Sequence, residues 1–375
     1  MAYFCERVHQ SSGESYQAFV PTTIGADFSC SEQVIARFTK LDELIKSVQN
    51  VDGEGINDYL LRYSAGGSAL RDGRSVSRKR LALIGANVPR MDIEARSILM
   101  HSDAFKQALS IGCEQTKFDV EALKAMASPM KNDKGNAGQF RKGQGWIGGT
   151  SPLDAYYVCP PVELVEPLIE NLCDFINRDD IPASLQAAIA HVQLSIIHPL
   201  SDGNGRTARA LVEVILRRRG VVTTIAPPVF LYRLILENND YVAAIKDFEQ
   251  ESHDALYNFW CSANEWAVKQ IVALQQSKQQ FTTSCFEQFK RAKIARTPQL
   301  NNLIEALFTQ PIVTQKWLAR YLSVSEDQAL VLLNLMRQAG VCQTHKLREP
   351  KDFVIWDAAT VFKLLNEFDK GLFEA

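Results

Sequence analysis

The chain has 375 residues, 46% of them hydrophobic and 22% charged, and carries a formal net charge of -2. That composition belongs to ordinary globular proteins with room for two or three domains. The near-neutral charge excludes a global basic field that would draw the chain onto nucleic acid or an anionic membrane. No apolar run reaches the length of a membrane span, and the start, Met1-Ala-Tyr-Phe-Cys-Glu-Arg7, lacks the basic-then-apolar pattern of a secretory signal. The eight cysteines, at 5, 30, 113, 159, 173, 261, 285 and 342, are scattered without a Cys-x-x-Cys pair. The expectation is a cytoplasmic protein with reduced, mostly buried thiols rather than disulfides or zinc.

In chain order, residues 1 to about 30 read as irregular and polar. Helical spacing begins near Ser31, where Val34, Ile35, Phe38, Leu41, Leu44 and Ile45 recur at three and four. A second helical stretch covers Tyr59 to Tyr63, and helical signal resumes from Ile93 to Leu109. Residues 131–151, rich in glycine among basic and aromatic residues, read as a loop and a short hairpin. Pro167 suits the first turn of a helix over Leu168–Ile176. Residues 182–197 are apolar on nearly all sides, which predicts a helix at the centre of a bundle. A second buried helix follows over Thr207–Arg218. Later helices are expected at 229–238, 240–250 and 253–276. The polar run Gln275–Gln280 is either a solvated helix face or a connection. From Thr297 onward three helices, Asn302–Phe308, Thr314–Leu322 and Ser325–Gln338, precede a strand pair, Val341–Thr344 and Phe353–Trp356, which is the winged-helix order.

The densest chemistry lies in His198-Pro-Leu-Ser-Asp202-Gly-Asn-Gly-Arg206-Thr-Ala-Arg209. Gly203 and Gly205 let the backbone curl and aim several N–H groups at one spot. A helix starting just after them adds free donors and partial positive charge. Arg206 and Arg209 share one face of its first turns, and guanidinium forks suit phosphate oxygens. Asp202 at the mouth can hold Mg²⁺ together with phosphate oxygens, and His198 can accept a proton near neutral pH. Taken singly, each piece has a plainer reading: His-Pro as a helix end, Asp-Gly-Asn-Gly as a turn, the arginines as surface residues. Their joint occurrence within twelve positions argues for a base, a metal carboxylate and a phosphate cradle.

The segment resembles the Fic signature His-x-Phe-x-Asp/Glu-Gly-Asn-Gly-Arg-x-x-Arg, with Leu200 in place of the family's Phe. The resemblance extends over roughly 100–270. It implies a mainly α fold: a Fic helical bundle with a short β-hairpin flap, followed by a C-terminal winged helix-turn-helix. The corresponding division is an N-terminal helical region 1–115, a catalytic core 116–276, a linker or helix 277–296, and a winged-helix-like part 297–375. The activity implied is protein AMPylation. His198 would deprotonate a Ser, Thr or Tyr hydroxyl on a target protein, or on the chain itself, and that oxygen would attack the α-phosphorus of ATP. Mg²⁺ would sit on Asp202, the phosphates on Gly203, Asn204, Gly205 and Arg206, and the γ-phosphate on Arg209. The 138–149 stretch falls where the family's flap adds a target segment as a strand, and is otherwise a plain surface loop. Tyr241 resembles a tyrosine near the adenine, and is otherwise a core aromatic. Members of the family often form homodimers.

Ser68-Ala-Leu-Arg-Asp72-Gly73 has the spacing of the family's inhibitory helix, with Asp72 replacing the usual Glu; the residues alone read as a helix end. One methylene shorter, Asp72 would restrain Arg209 more weakly. In the winged-helix-like part, the recognition-like helix offers Glu326, Asp327 and Gln328 against one cation, Arg337, which is poor material for phosphate contacts. Protein contact is therefore placed ahead of DNA binding. Two alternatives stand beside AMP transfer: a DNA-binding regulator with a nucleotide-sensing Fic-like core, and an enzyme that moves another phosphate-containing group.

Overall fold

The computed structural model describes residues 2–49, 55–62, 76–130, 138–229, 245–248, 250, 252–351 and 353–365. The fold is mainly helical. Its elements are β1 (Tyr3–Val8), β2 (Ser15–Val20), α1 (Glu32–Ser47), α2 (Arg78–Gly85), α3 (Ile93–Glu114), α4 (Val120–Ala127), β3 (Trp146–Ile147), β4 (Tyr157–Val158), α5 (Val165–Ile176), α6 (Ala183–Ile197) and α7 (Asn204–Arg218). After these come α8 (Asp254–Arg291), α9 (Pro298–Thr309), β5 (Ile312–Val313), α10 (Gln315–Leu322), α11 (Glu326–Gln338), β6 (Gln343–Lys346) and β7 (Val354–Asp357). The chain forms two compact units, Met1–Gln49 with Asp103–Trp266, and Asn50–Ser102 with Ala267–Ala375. None of the described helices is long and apolar enough to cross a membrane.

The first unit is organised around α6, where every residue but Ser195 is buried. Such a helix cannot send its polar groups to water, so neighbours must satisfy them. Its N-terminus follows Pro182, which supplies no side-chain cap. Asp42 of α1 does this instead, accepting from Ala183 N–H at 2.8 Å and Ser184 N–H at 3.0 Å. Gln186, also buried, donates to the Phe175, Ile176 and Arg178 carbonyls at the end of α5. Arg219, just past α7, holds the carbonyls of Arg178, Asp179 and Ile181 and the Gln186 amide oxygen. Apolar burial thus brings α1, α5, α6 and α7 together, and single side chains close the helix ends.

Residues 2–20 are not irregular. They form an antiparallel hairpin running from Tyr3↔Val20 to Val8↔Ser15. Only Ala18, Phe19 and Val20 bury deeply. The polar alternation of the remaining positions leaves little apolar signal, so the strands pass for loop.

In the second unit the segment near residue 80 interleaves with the C-terminal third. Ala82, Leu83, Ala86, Val88, Ile312 and Ile355 share one core. Gln310, buried, donates to the Ala82 and Ile312 carbonyls and accepts from Arg62. Thr314 donates to the Ala86 carbonyl at 3.1 Å. Contacts at such separation cannot be read from local pattern, so the contiguous division 1–115, 116–276, 277–296 and 297–375 does not coincide with these units. The 277–296 stretch is helical as far as Arg291, as part of α8. The C-terminal elements follow the order α9-β5-α10-α11-β6-β7, with a three-stranded sheet in the order β5-β7-β6. Thr297, Thr314 and Ser325 cap the three helices, the last in a capping box with Gln328.

Replacing Asp42 with Ala leaves two buried N–H donors of α6 without acceptors. The expected loss is about 1–3 kcal/mol, read as a lower urea midpoint at unchanged slope. An unaltered midpoint contradicts the cross-helix cap.

Candidate active site

The turn between α6 and α7 carries His198, Asp202 and the residues that open α7. α6 ends at Ile197, and His198 caps it in the left-handed region, φ 49° and ψ 55°. That conformation is uncommon for a residue with a side chain, and the following Pro199 restricts it further. Leu200, 2% exposed, sits in the core where the family signature has Phe. The buried Asn204 side chain closes the loop. Its Oδ1 accepts from Leu200 N–H and its Nδ2 donates to Leu200 O, both at 2.8 Å. Each end of this amide is thus engaged once by the loop, which fixes its orientation.

Gly203 precedes α7 with φ 82°, and a Cβ there would lie 3.1 Å from the Met130 carbonyl oxygen. Both facts require glycine. The first helical bond of α7 runs from Thr207 N–H to Gly203 O at 2.9 Å. The N–H groups of Asn204, Gly205 and Arg206 precede it and have no acceptor within the helix, at the positive end of its dipole.

Arg206 Nη2 lies 3.2 and 3.3 Å from the two carboxylate oxygens of Asp202. Its Nη1 is buried with no hydrogen-bond partner among the described residues. An unpartnered guanidinium N–H is costly in the interior, and a phosphate oxygen is its natural complement. Arg209 belongs to the same turn; a Cβ on Gly205 would lie 3.5 Å from its Nη1. No group of three or more His, Cys, Asp or Glu side chains among the described residues is arranged to hold a metal. A cation on Asp202 would take its other ligands from phosphate and water, a donor set that suits Mg²⁺.

His198 Nδ1 lies 3.3 Å from the Ser195 carbonyl oxygen. A carbonyl only accepts, so this contact assigns the proton to Nδ1 and leaves Nε2 as the acceptor. Burial pushes the imidazole below its ordinary pKa; the bond to Ser195 O opposes this in part, and the nearby Arg141 charge adds to the lowering. His198 is therefore neutral near pH 7, the state a general base requires.

Arg141 is a residue that sequence reasoning missed. It lies in the glycine-rich stretch with no motif to mark it, yet it is 8% exposed. Its Nε donates to His198 O at 3.0 Å and its Nη1 to Gly143 O at 2.9 Å, while Nη2 donates to Pro160 O at 2.5 Å. The backbone joins in: Arg141 N–H bonds Pro199 O at 2.9 Å, and Ser201 N–H bonds Gln139 O at 3.0 Å. Gly145 makes room, since a Cβ there would lie 3.0 Å from Arg141 Nε. The one available signal was a cation set among glycines that permit close approach.

Beyond it, β3 pairs antiparallel with β4 through Trp146↔Val158 and Ile147↔Tyr157. Asp154 clasps the connecting turn by accepting from Thr150 and Ser151, which holds its carboxyl well below the usual range. Trp146, Ile147 and Tyr156 are exposed. Ser68, Asp72 and Tyr241 lie outside the described residues. Of the cysteines, 159, 173, 261, 285 and 342 are buried; burial raises Cys159 to about 12, so it is a protonated thiol and not a nucleophile.

Residues 117–216 match the model of the Fic/DOC family. Protein adenylyltransferase fic-1 of Caenorhabditis elegans is 28% identical over 151 residues, 38% of this chain and 28% of that protein. The protein of the same name from Caenorhabditis briggsae is 37% identical over 98 residues, 25% of this chain and 18% of that protein. The chain thus spans less than a third of the length of these relatives. Among solved structures, a Fic family protein from Desulfovibrio desulfuricans G20 superposes with a TM-score of 0.54 at 17% identity, covering 88% of this chain and 97% of that one. At that identity the likeness shows the fold.

Gly203→Ala places a Cβ at positive φ against a backbone oxygen. It is expected to cost about 1–2 kcal/mol, measured by chemical denaturation. A neutral or stabilising outcome contradicts this geometry.

Proposed function

We propose that the Fic/DOC domain in residues 117–216 transfers AMP from ATP to a hydroxyl of a protein. The observation that carries this reading is one turn holding a neutral imidazole with Nδ1 engaged and the donor-rich start of α7 with an unpartnered arginine N–H. His198 Nε2 takes the proton of the attacking Ser, Thr or Tyr hydroxyl. The oxygen bonds to the α-phosphorus, the bond to the bridging oxygen of the β-phosphate breaks, and pyrophosphate leaves. The N–H groups of Asn204, Gly205 and Arg206, with the Arg206 guanidinium, hold the phosphate charge, and Arg209 takes the γ-phosphate. Positioning and charge stabilisation supply most of the acceleration in such in-line transfer. Mg²⁺ bound by Asp202 and phosphate oxygens would neutralise charge on the α- and β-phosphates. The names of the relatives support this reading, as does the match of the family model to this segment.

The target docks, in this reading, on the open edge of β3 as an added strand, with Trp146, Ile147 and Tyr156 as apolar contacts. The C-terminal elements Pro298–Asp357 serve as a winged helix for protein contact. The first turn of α11 carries Glu326 and Asp327, and its last turn only Arg337, which repels a phosphate backbone more than it attracts one.

The chain incubated in turn with ATP, UTP, GTP and CDP-choline, and read by intact mass, is expected to gain AMP from ATP. The His198→Ala variant gains nothing while still binding nucleotide. Equal modification by both forms removes His198 from catalysis, and a gain from another donor reassigns the transferred group. Because the imidazole pKa is lowered, the neutral base persists into mildly acidic solution. The acidic limb of the kcat/KM–pH profile, which reports the free enzyme, therefore falls below the ordinary histidine range; a limb above it contradicts the assignment.

A further inference from the structure

We infer that Arg141 is a positioning residue for the catalytic base: its buried side chain holds the strained His198 backbone so that the imidazole sits in one tautomer and one orientation. The inference rests on the reading of His198 as the base. Its observations are independent of any nucleotide.

His198 adopts φ 49° and ψ 55° directly before a proline. Such a conformation persists only where surrounding contacts over-determine it. Three of the contacts here come from one residue. Arg141 Nε bonds the His198 carbonyl at 3.0 Å, Arg141 N–H bonds the Pro199 carbonyl at 2.9 Å, and Arg141 Nη2 lies 3.5 Å from the Ile197 carbonyl. Tyr157 continues the series, its hydroxyl bonding the Ile196 carbonyl at 2.9 Å. Four successive carbonyls at the end of α6 thus face donors from the 141–157 segment. Those of Ile196, Ile197 and the cap His198 are groups a helix C-terminus leaves without partners, at its negative dipole end.

Among the described residues, no carboxylate is a hydrogen-bond partner of Arg141. A buried guanidinium without a carboxylate is unusual. The carbonyls of His198, Gly143, Pro160 and Ile197 supply the negative potential that a carboxylate would otherwise give. The fork geometry lets one side chain reach several carbonyls at fixed angles, which an ammonium cannot copy. The consequence reaches the ring: the Nδ1 contact with Ser195 O depends on where the His198 backbone places Cβ. Release of the carbonyl frees the backbone, the Nδ1 contact loosens, and Nε2 is no longer the fixed proton acceptor.

Arg141→Lys and Arg141→Met are the test, with His198→Ala as reference. ¹⁵N-histidine spectra of wild type are expected to show His198 protonated at Nδ1 alone, and those of both variants a mixture of tautomers. In transfer assays kcat falls about 10- to 100-fold, the scale for a misplaced catalytic group. The affinity for ATP, measured directly, stays within about twofold, because Arg141 lies outside the α7 cradle. Lys retains charge and stem, so a folded Lys variant with wild-type tautomer and kcat overturns the proposal, whatever the Met variant does. A purely structural arginine lowers Tm and moves neither readout in the folded fraction, which also overturns it. Because the spectra need no activity, a wild-type enzyme inert toward ATP with the tautomer change intact would refute the transfer reading and leave the positioning role standing.

Discussion

Two hydrogen bonds of 2.8 Å between the Asn204 side chain and the Leu200 backbone close the turn between α6 and α7. They fix a loop whose two halves need opposite things. Its first half follows a helix C-terminus, where carbonyls lack donors; its second half opens a helix N-terminus, where N–H groups lack acceptors. The protein answers the first need with Arg141 and Tyr157, and leaves the second open toward a ligand. An imidazole and a donor-rich helix start on one turn follow from that asymmetry. Leu200, buried beneath the loop, anchors it with an aliphatic side chain where the Fic signature has an aromatic ring.

The same economy of partners holds for the helices that carry the turn. α6 is apolar on almost all sides, so burial alone would let it rotate or slide. Asp42 at its start, Gln186 within it and Arg219 beyond α7 give it a fixed register by bonding defined backbone groups. Each bond adds about 1 kcal/mol net, and each costs more if one partner is lost. Placement of the turn is thus specified by polar contacts within an apolar bundle.

Much of the site could be read from the residues. The twelve-residue motif puts His198, Asp202, the glycines and the arginines on one turn, because spacing within one turn is local. The central helix 183–197 and the capped helices near the C-terminus were legible for the same reason: apolar period and Ser or Thr caps are written in neighbouring residues. The first hairpin was not legible, since its strands bury little. Nor was β5, two residues long and recognisable only through β7. Arg141 and Asn204 show a deeper limit. Nothing local marks a basic residue in a glycine-rich loop, and an Asn in a phosphate motif suggests ligand contact, yet both side chains bond backbone groups of the protein itself. Burial decides such cases, and burial depends on residues tens of positions away.

The central claim is that this turn directs attack on the α-phosphorus of ATP. Parallel reactions with ATP radiolabelled at the α- or the γ-phosphorus test it most directly, with protein-bound label as the readout. Label from the α-phosphorus alone, absent in His198→Ala, is the outcome expected of AMP transfer with pyrophosphate as leaving group. Protein-bound label from the γ-phosphorus would show the chain to be a kinase and would contradict the assignment of the cradle.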